Sequence, residues 1–147
     1  MNAMMQDRNT FSGTVTQSVT MDCVDSAGQT MSLEADLGYS PADPYAVTAT
    51  FRTSGGDVVW TFARELLIGG LTAPAGDGDV HVWPCLDDSG RAVVIIELNS
   101  PDGELLVQVP TKDLYRFVNR TLSVVPSGGE SDFLDLDLLI HQLMDAA

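Results

Sequence analysis

Residues 15–37 read VTQSVTMDCVDSAGQTMSLEADL, and their alternation decides the fold class. Apolar side chains fall on odd positions at Val15, Val19, Met21 and Cys23, and the same parity resumes at Met31 after a turn at residues 26–28. A period of two places one side of each segment on a core and the other side in water. The stretch therefore predicts two antiparallel strands joined by a short turn.

Five more strands are predicted downstream, at residues 45–51, 58–62, 80–85, 92–98 and 104–109. The first two flank Ser54-Gly55-Gly56-Asp57, a hairpin sequence in which glycine tolerates positive φ. Pro84 makes the third an edge strand or a bulged strand. The run AVVIIEL at 92–98 is apolar on both parities, which indicates a strand covered on both faces.

Three segments change to helical spacing. Residues 63–68 predict a helix of two turns stopped by Gly69-Gly70, and residues from Thr111 carry apolar side chains three and four apart. A last helix is predicted from about Asp132 or Asp135 to Met144. Strands followed by helices indicate an α+β domain: a seven-stranded antiparallel β core, barrel-like, with one short inserted helix and two C-terminal helices.

The 147 residues suit one domain with its own core, and we predict a flexible N-terminal segment at 1–12 and a single domain at 13–147. The net charge of −14 disfavours direct binding to nucleic acid or to anionic lipid. With no apolar targeting segment, we expect a cytoplasmic protein. Cys23 and Cys85 are expected to be reduced, half-buried core residues.

The sequence contains no complete catalytic or metal-binding signature. His81 and His141 lie in no metal-ligand spacing, and Asp77-Gly78-Asp79 lacks the glycine and glutamate of a calcium loop. The chain has no nucleophile elbow, and its single lysine lies outside any phosphate-binding motif. We therefore predict no cofactor, no metal and no enzymatic activity.

Five residues are candidate partner contacts. Lys112, Arg116 and Arg120 are four apart on the predicted helix, so they form one basic ridge on an acidic molecule. The alternative is a solvated helix face.

Trp83 and Arg64 complete the set. Trp83 is out of parity beside Pro84, so we expect it to be partly exposed near an interface. Arg64 opens a helix where its charge opposes the helix dipole. That placement predicts an ion pair with Glu65, Asp79 or Glu104, or else a contact with a partner.

Several motifs together resemble the SsgA-like family of actinobacterial sporulation and cell-division proteins. They are DPYAV at 43–47 with ATF at 49–51, Trp60 with FAR at 62–64, and GDV at 78–80 with VWP at 82–84. SP at 100–101, GE at 103–104 and DLD at 135–137 extend the resemblance to about three-quarters of the chain.

The resemblance implies a whirly-like fold, a homotrimer, and a non-enzymatic role in sporulation-specific division. It implies a regulator that helps localise or stimulate FtsZ ring assembly at the septum, with FtsZ and other SsgA-like proteins as partners. The alternative is a whirly-like module that binds single-stranded nucleic acid. Such binding needs a cationic groove with stacking aromatics, and the acidic composition disfavours it.

Overall fold

The fold is one curled, eight-stranded antiparallel sheet with helices packed against it. The computed structural model describes residues 13–25, 27–134, 140–141 and 143–144. The strands run in the order β4-β3-β2-β1-β8-β7-β6-β5, which leaves β4 and β5 at opposite ends of an open half-barrel. Their bounds are β1 Val15–Val24, β2 Thr30–Tyr39, β3 Ala46–Thr53, β4 Gly56–Ala63, β5 Ala75–Asp77, β6 Val80–Leu86, β7 Ala92–Ser100 and β8 Gly103–Pro110.

The sheet consists of two four-stranded meanders, each followed by a helix. Helix α1 (Arg64–Gly70) follows β4, and helix α2 (Thr111–Val124) follows β8. A 3-10 turn, Glu130–Phe133, comes after α2. The two meanders join through β1 and β8, which pair only at Asp22↔Gln108 and Cys23↔Val107. Beyond these pairs the two strands diverge, and α2 packs against the first half of β1.

The prediction of an α+β domain with an antiparallel sheet is confirmed, but the count of seven strands is wrong. The extra strand, β5, has three residues in the segment between α1 and β6, where no strand was predicted, and it pairs with β6 from Ala75↔Val82 to Asp77↔Val80. Three residues are too few to show a period of two. Pro84 lies beyond this pairing, on the free edge of β6, as an edge proline should.

The helix predictions also need correction. Helix α1 continues through Gly69 and Gly70 to a cap at Leu71, because neither glycine adopts the left-handed conformation that would end it. The predicted start of the last helix at Asp132 falls in the 3-10 turn. Residues 135–139, where the alternative start lies, are outside the described residues, as is the predicted flexible segment at 1–12. Residues 140–141 and 143–144 are helical.

The core lies on the concave face of the sheet. Most apolar residues at odd positions of β1 and β2 are buried in it, as the parity predicted, in one cluster with the buried face of α2. The prediction was wrong for Met31, which is 70% exposed near the start of β2. Strand β7 is buried on both faces, again as predicted, through Val94 and Ile96 on one side and Val93 and Ile95 on the other. The α2 contribution to the core is Leu114, Phe117 and Val118.

A buried ion pair fastens the two helices to the sheet. Arg64, the first residue of α1, is 1% exposed, and its Nη2 donates to Glu130 Oε2 at 2.9 Å. Its Nη1 donates to the carbonyl oxygens of Val125 at 2.7 Å and Thr121 at 3.3 Å, at the C-terminal end of α2. The guanidinium carbon lies 4.8 Å from the centre of the Tyr39 ring. A positive charge at this end of α2 complements the helix dipole.

The ion pair expected for Arg64 therefore forms, but the predicted acids Glu65, Asp79 and Glu104 were wrong. The partner is Glu130, 66 positions away. Arg64 is almost fully buried within the chain while Glu130 holds it. The alternative, a contact with a partner, stays a prediction.

Two adjacent glycines of α1 provide a matched test of the helix–sheet contact. A Cβ on Gly70 would lie 2.2 Å from Cγ1 of Val82, whereas the nearest atom to a Cβ on Gly69 is 3.5 Å away. We expect Gly70→Ala to lower the free energy of unfolding by about 1–3 kcal/mol through overpacking. Gly69→Ala should be neutral or stabilising by up to about 1 kcal/mol. Urea denaturation measures both, and equal effects would contradict the close approach.

We expect the protein to lose stability at low pH, in part because Glu130 becomes protonated. Its own backbone N–H and the Arg64 guanidinium hold the pKa of Glu130 below its usual range, although burial works the other way. A depressed folded pKa gives stability that is complete above the unfolded value of about 4.3 and is lost as the pH falls through the lower folded value. Glu130→Gln should therefore destabilise the protein at pH 7 and flatten the acid decline in urea midpoints.

Asp132→Asn is the control for this measurement, because Asp132 is an exposed acid on the same 3-10 turn. It should keep the pH profile of the parent. If Glu130→Gln and the parent lose stability in parallel from pH 7 to pH 3, the buried pair does not contribute to the acid dependence.

Candidate protein-binding surface on helix α2

The basic ridge forms as its spacing predicts. Lys112, Arg116 and Arg120 are all exposed on the side of α2 that faces away from its buried residues. Because an α-helix has 3.6 residues per turn, charges at positions 112, 116 and 120 span about two turns of this 14-residue helix. The ridge is therefore a surface feature of a firmly packed helix.

Two other arginines form ion pairs with carboxylates, which distinguishes them from the residues of the ridge. Arg52 pairs with Asp36 and Asp57 on the outer face of the sheet, and Arg64 pairs with Glu130 in the interior. Hydrogen bonds from Ser18 and Arg52 hold the pKa of Asp36 below its usual range. Within the described part of the chain, the cations without an ion pair are Arg91 and the three residues of the ridge.

Arg91 shares a groove with the ridge. Where β1 and β8 diverge, a groove of about 490 Å³ opens between β1 and the start of α2, and both Arg91 and Arg116 line it. Asp22, Asp87 and Asp113 also line it, so the groove carries both signs of charge. The Asp87 carboxylate accepts hydrogen bonds from the N–H groups of Ser89 and Arg91, at 2.8 and 2.9 Å, and shapes the turn that brings Arg91 here.

The three ridge residues are not equivalent. Arg120 donates to the carbonyl oxygen of Thr16 at 3.1 Å and to Oε1 of Gln17 at 3.2 Å, and Gln17 in turn donates to the carbonyl oxygen of Asp113 at 2.8 Å. These bonds tether α2 to β1. Lys112 and Arg116 have no such bond among the described residues, so they are the charges available to a partner.

An aromatic side chain beside the ridge escaped the sequence analysis. Tyr115 is 57% exposed, next to Arg116 and one turn from Lys112. Tyrosine and arginine are enriched where proteins meet, since both combine apolar area with hydrogen-bonding groups. The sequence did contain a signal for this exposed residue: Tyr115 is aromatic but does not fall on the apolar stripe of α2.

Trp83 is half-buried on the outer face of β6, which agrees with the predicted partial exposure. It lies opposite Ile95 of β7, and Ile95 lies opposite Gln108 of β8. Trp83 therefore covers an apolar side chain on the outside of the sheet.

Other functional chemistry receives no support from the described residues. No group of three or more His, Cys, Asp or Glu side chains in this part of the chain could hold a metal ion. Cys23 is half-buried, and burial raises the pKa of its thiol, but Cys85 is exposed, so the prediction that both are half-buried was wrong for Cys85. No described helix is both long enough and apolar enough to span a membrane.

Comparison with known proteins places the chain in a family. The profile described as "Streptomyces sporulation and cell division protein, SsgA" matches residues 33–130. The sporulation-specific cell division protein SsgB of Frankia casuarinae is 46% identical over 124 residues, covering 84% of this chain and 86% of that protein. SsgB of Streptomyces coelicolor is 45% identical over 132 residues, covering 89% and 96%.

A solved structure supports the same assignment. The crystal structure of an SsgA-like sporulation-specific cell division protein from Thermobifida fusca superposes with a TM-score of 0.78 at 37% identity, covering 88% of this chain and 94% of that one. Sequence and fold thus agree over most of the chain. The protein belongs to the SsgA-like family of sporulation and cell-division proteins.

Proposed function

We propose that this protein is a non-enzymatic regulator of sporulation-specific cell division. It acts in the cytoplasm at the division septum, where it helps to localise or stimulate assembly of the FtsZ ring. The family assignment supports the process, because its relatives are named sporulation-specific cell division proteins and the family is not a known enzyme family. Its partners are FtsZ and other SsgA-like proteins.

The concentration of unpaired positive charge on α2 is the observation that carries the binding hypothesis. On a chain with a net charge of −14, the described cations without ion pairs are the ridge and Arg91 beside it. Complementary charge steers the encounter of two proteins and fixes their relative orientation. An acidic partner such as FtsZ is therefore guided to Lys112 and Arg116, with Tyr115 as the adjacent contact.

The ends of the half-barrel support an oligomer, which we propose to be a homotrimer. Strand β4 is the last strand at its end of the sheet, and Val58 and Val59 on it are 42% and 61% exposed. An edge strand with exposed apolar residues is prone to pairing with another chain unless it is covered. A stable oligomer covers such edges.

Reversing the two free charges of the ridge should weaken partner binding without unfolding the protein. The double variant Lys112→Glu with Arg116→Glu leaves the tether of Arg120 intact, and exposed charges change stability by about 0.5 kcal/mol or less each. We expect slower association with purified FtsZ in biolayer interferometry, and we expect the difference from the parent to shrink as salt screens the charges.

The control adds two carboxylates elsewhere, through Gln29→Glu and Thr30→Glu. These exposed positions lie in the β1–β2 hairpin, at the opposite end of β1 from the residues that α2 contacts. The control should bind FtsZ as the parent does. Unchanged association of the ridge variant at low ionic strength would show that the ridge is a solvated helix face, and recognition would then lie elsewhere.

Light scattering tests the oligomer separately. At micromolar concentration we expect a mass of about three times the 15.7 kDa of one chain. A Val59→Lys substitution on the β4 edge should reduce that mass if the edge is covered in the assembly. A parent protein that elutes with the mass of a single chain would contradict the trimer.

A further inference from the structure

Among the described residues, the segment after α2 makes few hydrogen bonds to the rest of the chain. We call residues 126–134 the strap. Its backbone bonds are internal: Gly129 N–H to the Pro126 carbonyl at 2.9 Å, Asp132 N–H to Gly129 at 3.2 Å, and Leu134 N–H to Ser131 at 3.3 Å. Within the described residues, the one hydrogen-bonded link from the strap to the body is Arg64 Nη2 to Glu130 Oε2.

Burial agrees with this single point of attachment. Glu130 is 5% exposed, whereas the residues on either side, from Pro126 to Gly128 and from Ser131 to Phe133, are exposed. The second oxygen of Glu130 accepts the N–H of Gly128 at 2.8 Å, so the strap also folds around its own carboxylate. Gly128, at φ +87°, takes a backbone conformation that favours glycine and sets the bend.

The guanidinium that receives Glu130 is fixed by other parts of the chain. The carbonyl oxygens of Thr121 and Val125 hold Nη1, and the Tyr39 ring lies against the guanidinium plane. None of these three groups belongs to the strap. The Nε of Arg64 has no partner among the described residues. When Glu130 leaves, the contacts to Nη1 and to the ring remain, so Arg64 stays in place with Nη2 directed at the vacated position. This is the arrangement of a preorganised carboxylate site.

We propose that Arg64 is the base of a carboxylate-binding site that Glu130 occupies from within the same chain, and that the strap is a lid that opens while the rest of the fold stays intact. A carboxylate of another chain competes for the same guanidinium. The basic ridge of α2 takes no part in this site, so the failure of either proposal leaves the other standing.

Rescue by a small carboxylate tests the site. Glu130→Ala removes the carboxylate and leaves a space beside Arg64 that acetate can enter. At pH 7 and constant ionic strength, replacing sodium chloride by sodium acetate should raise the melting temperature of Glu130→Ala more than that of the parent. Asp132→Ala removes an exposed acid from the same strap and should respond as the parent does. An equal response of Glu130→Ala and the parent would overturn the site.

Amide hydrogen exchange of the unmodified protein tests the lid and does not depend on any variant folding. We expect the N–H groups of Gly129, Asp132 and Leu134 to exchange together and faster than the core amides of β7 and β8, because an opening of the strap exposes them before global unfolding does. Glu130→Gln should speed their exchange by about tenfold or more, since it replaces a hydrogen bond between charged groups. If these amides exchange only at the rate of the core, the strap is no lid.

Discussion

The Arg64 guanidinium is buried at the meeting point of a strand, two helices and the strap. A charge removed from water is tolerated only when its hydrogen bonds are made, and removing one partner of a buried pair costs far more than an exposed pair contributes. While the strap is closed, three groups surround this charge: the ring of Tyr39, the end of α2 and the carboxylate of Glu130. Arg64 thereby links α1, which follows the first meander, to the end of α2, which follows the second.

The join between the two meanders explains where the candidate binding surface lies. Because β1 and β8 pair at only two positions, a wedge opens between them, and α2 fills it by packing on β1, β7 and β8. The helix is thereby held with its apolar residues inward and Lys112 and Arg116 outward. The divergence of the strands also creates the groove that brings Arg91 next to Arg116.

The distribution of positive charge connects the fold to the proposed function. Arg52 and Arg64 are neutralised by neighbouring carboxylates and stabilise the sheet and the interior. Arg120 is partly used to hold α2 on β1. What is left on the described surface is a small cationic area on a strongly acidic protein, and the electrostatic attraction of an acidic partner is therefore directed to one helix.

The sequence alone determined the features that depend on neighbouring residues. The period of two in residues 15–37 indicated which side of β1 and β2 faces the core. The unbroken apolar run at 92–98 indicated a strand covered on both faces. The basic residues four positions apart placed the ridge on one side of α2. Motif order identified the family. Each of these follows from local geometry, because the pattern of side chains along a strand or helix fixes which of them face the same way.

Only the tertiary structure decided the rest. Glu130 could not be chosen as the partner of Arg64 from spacing, since the two are 66 positions apart and meet through the packing of both helices. The short strand β5 forms because β6 is there to pair with it, and Gly70 is required because Val82 lies against the helix at that point. Pairing, close packing and burial of charge are properties of the assembled chain: their energies depend on groups that come together only when the two meanders curl into one sheet.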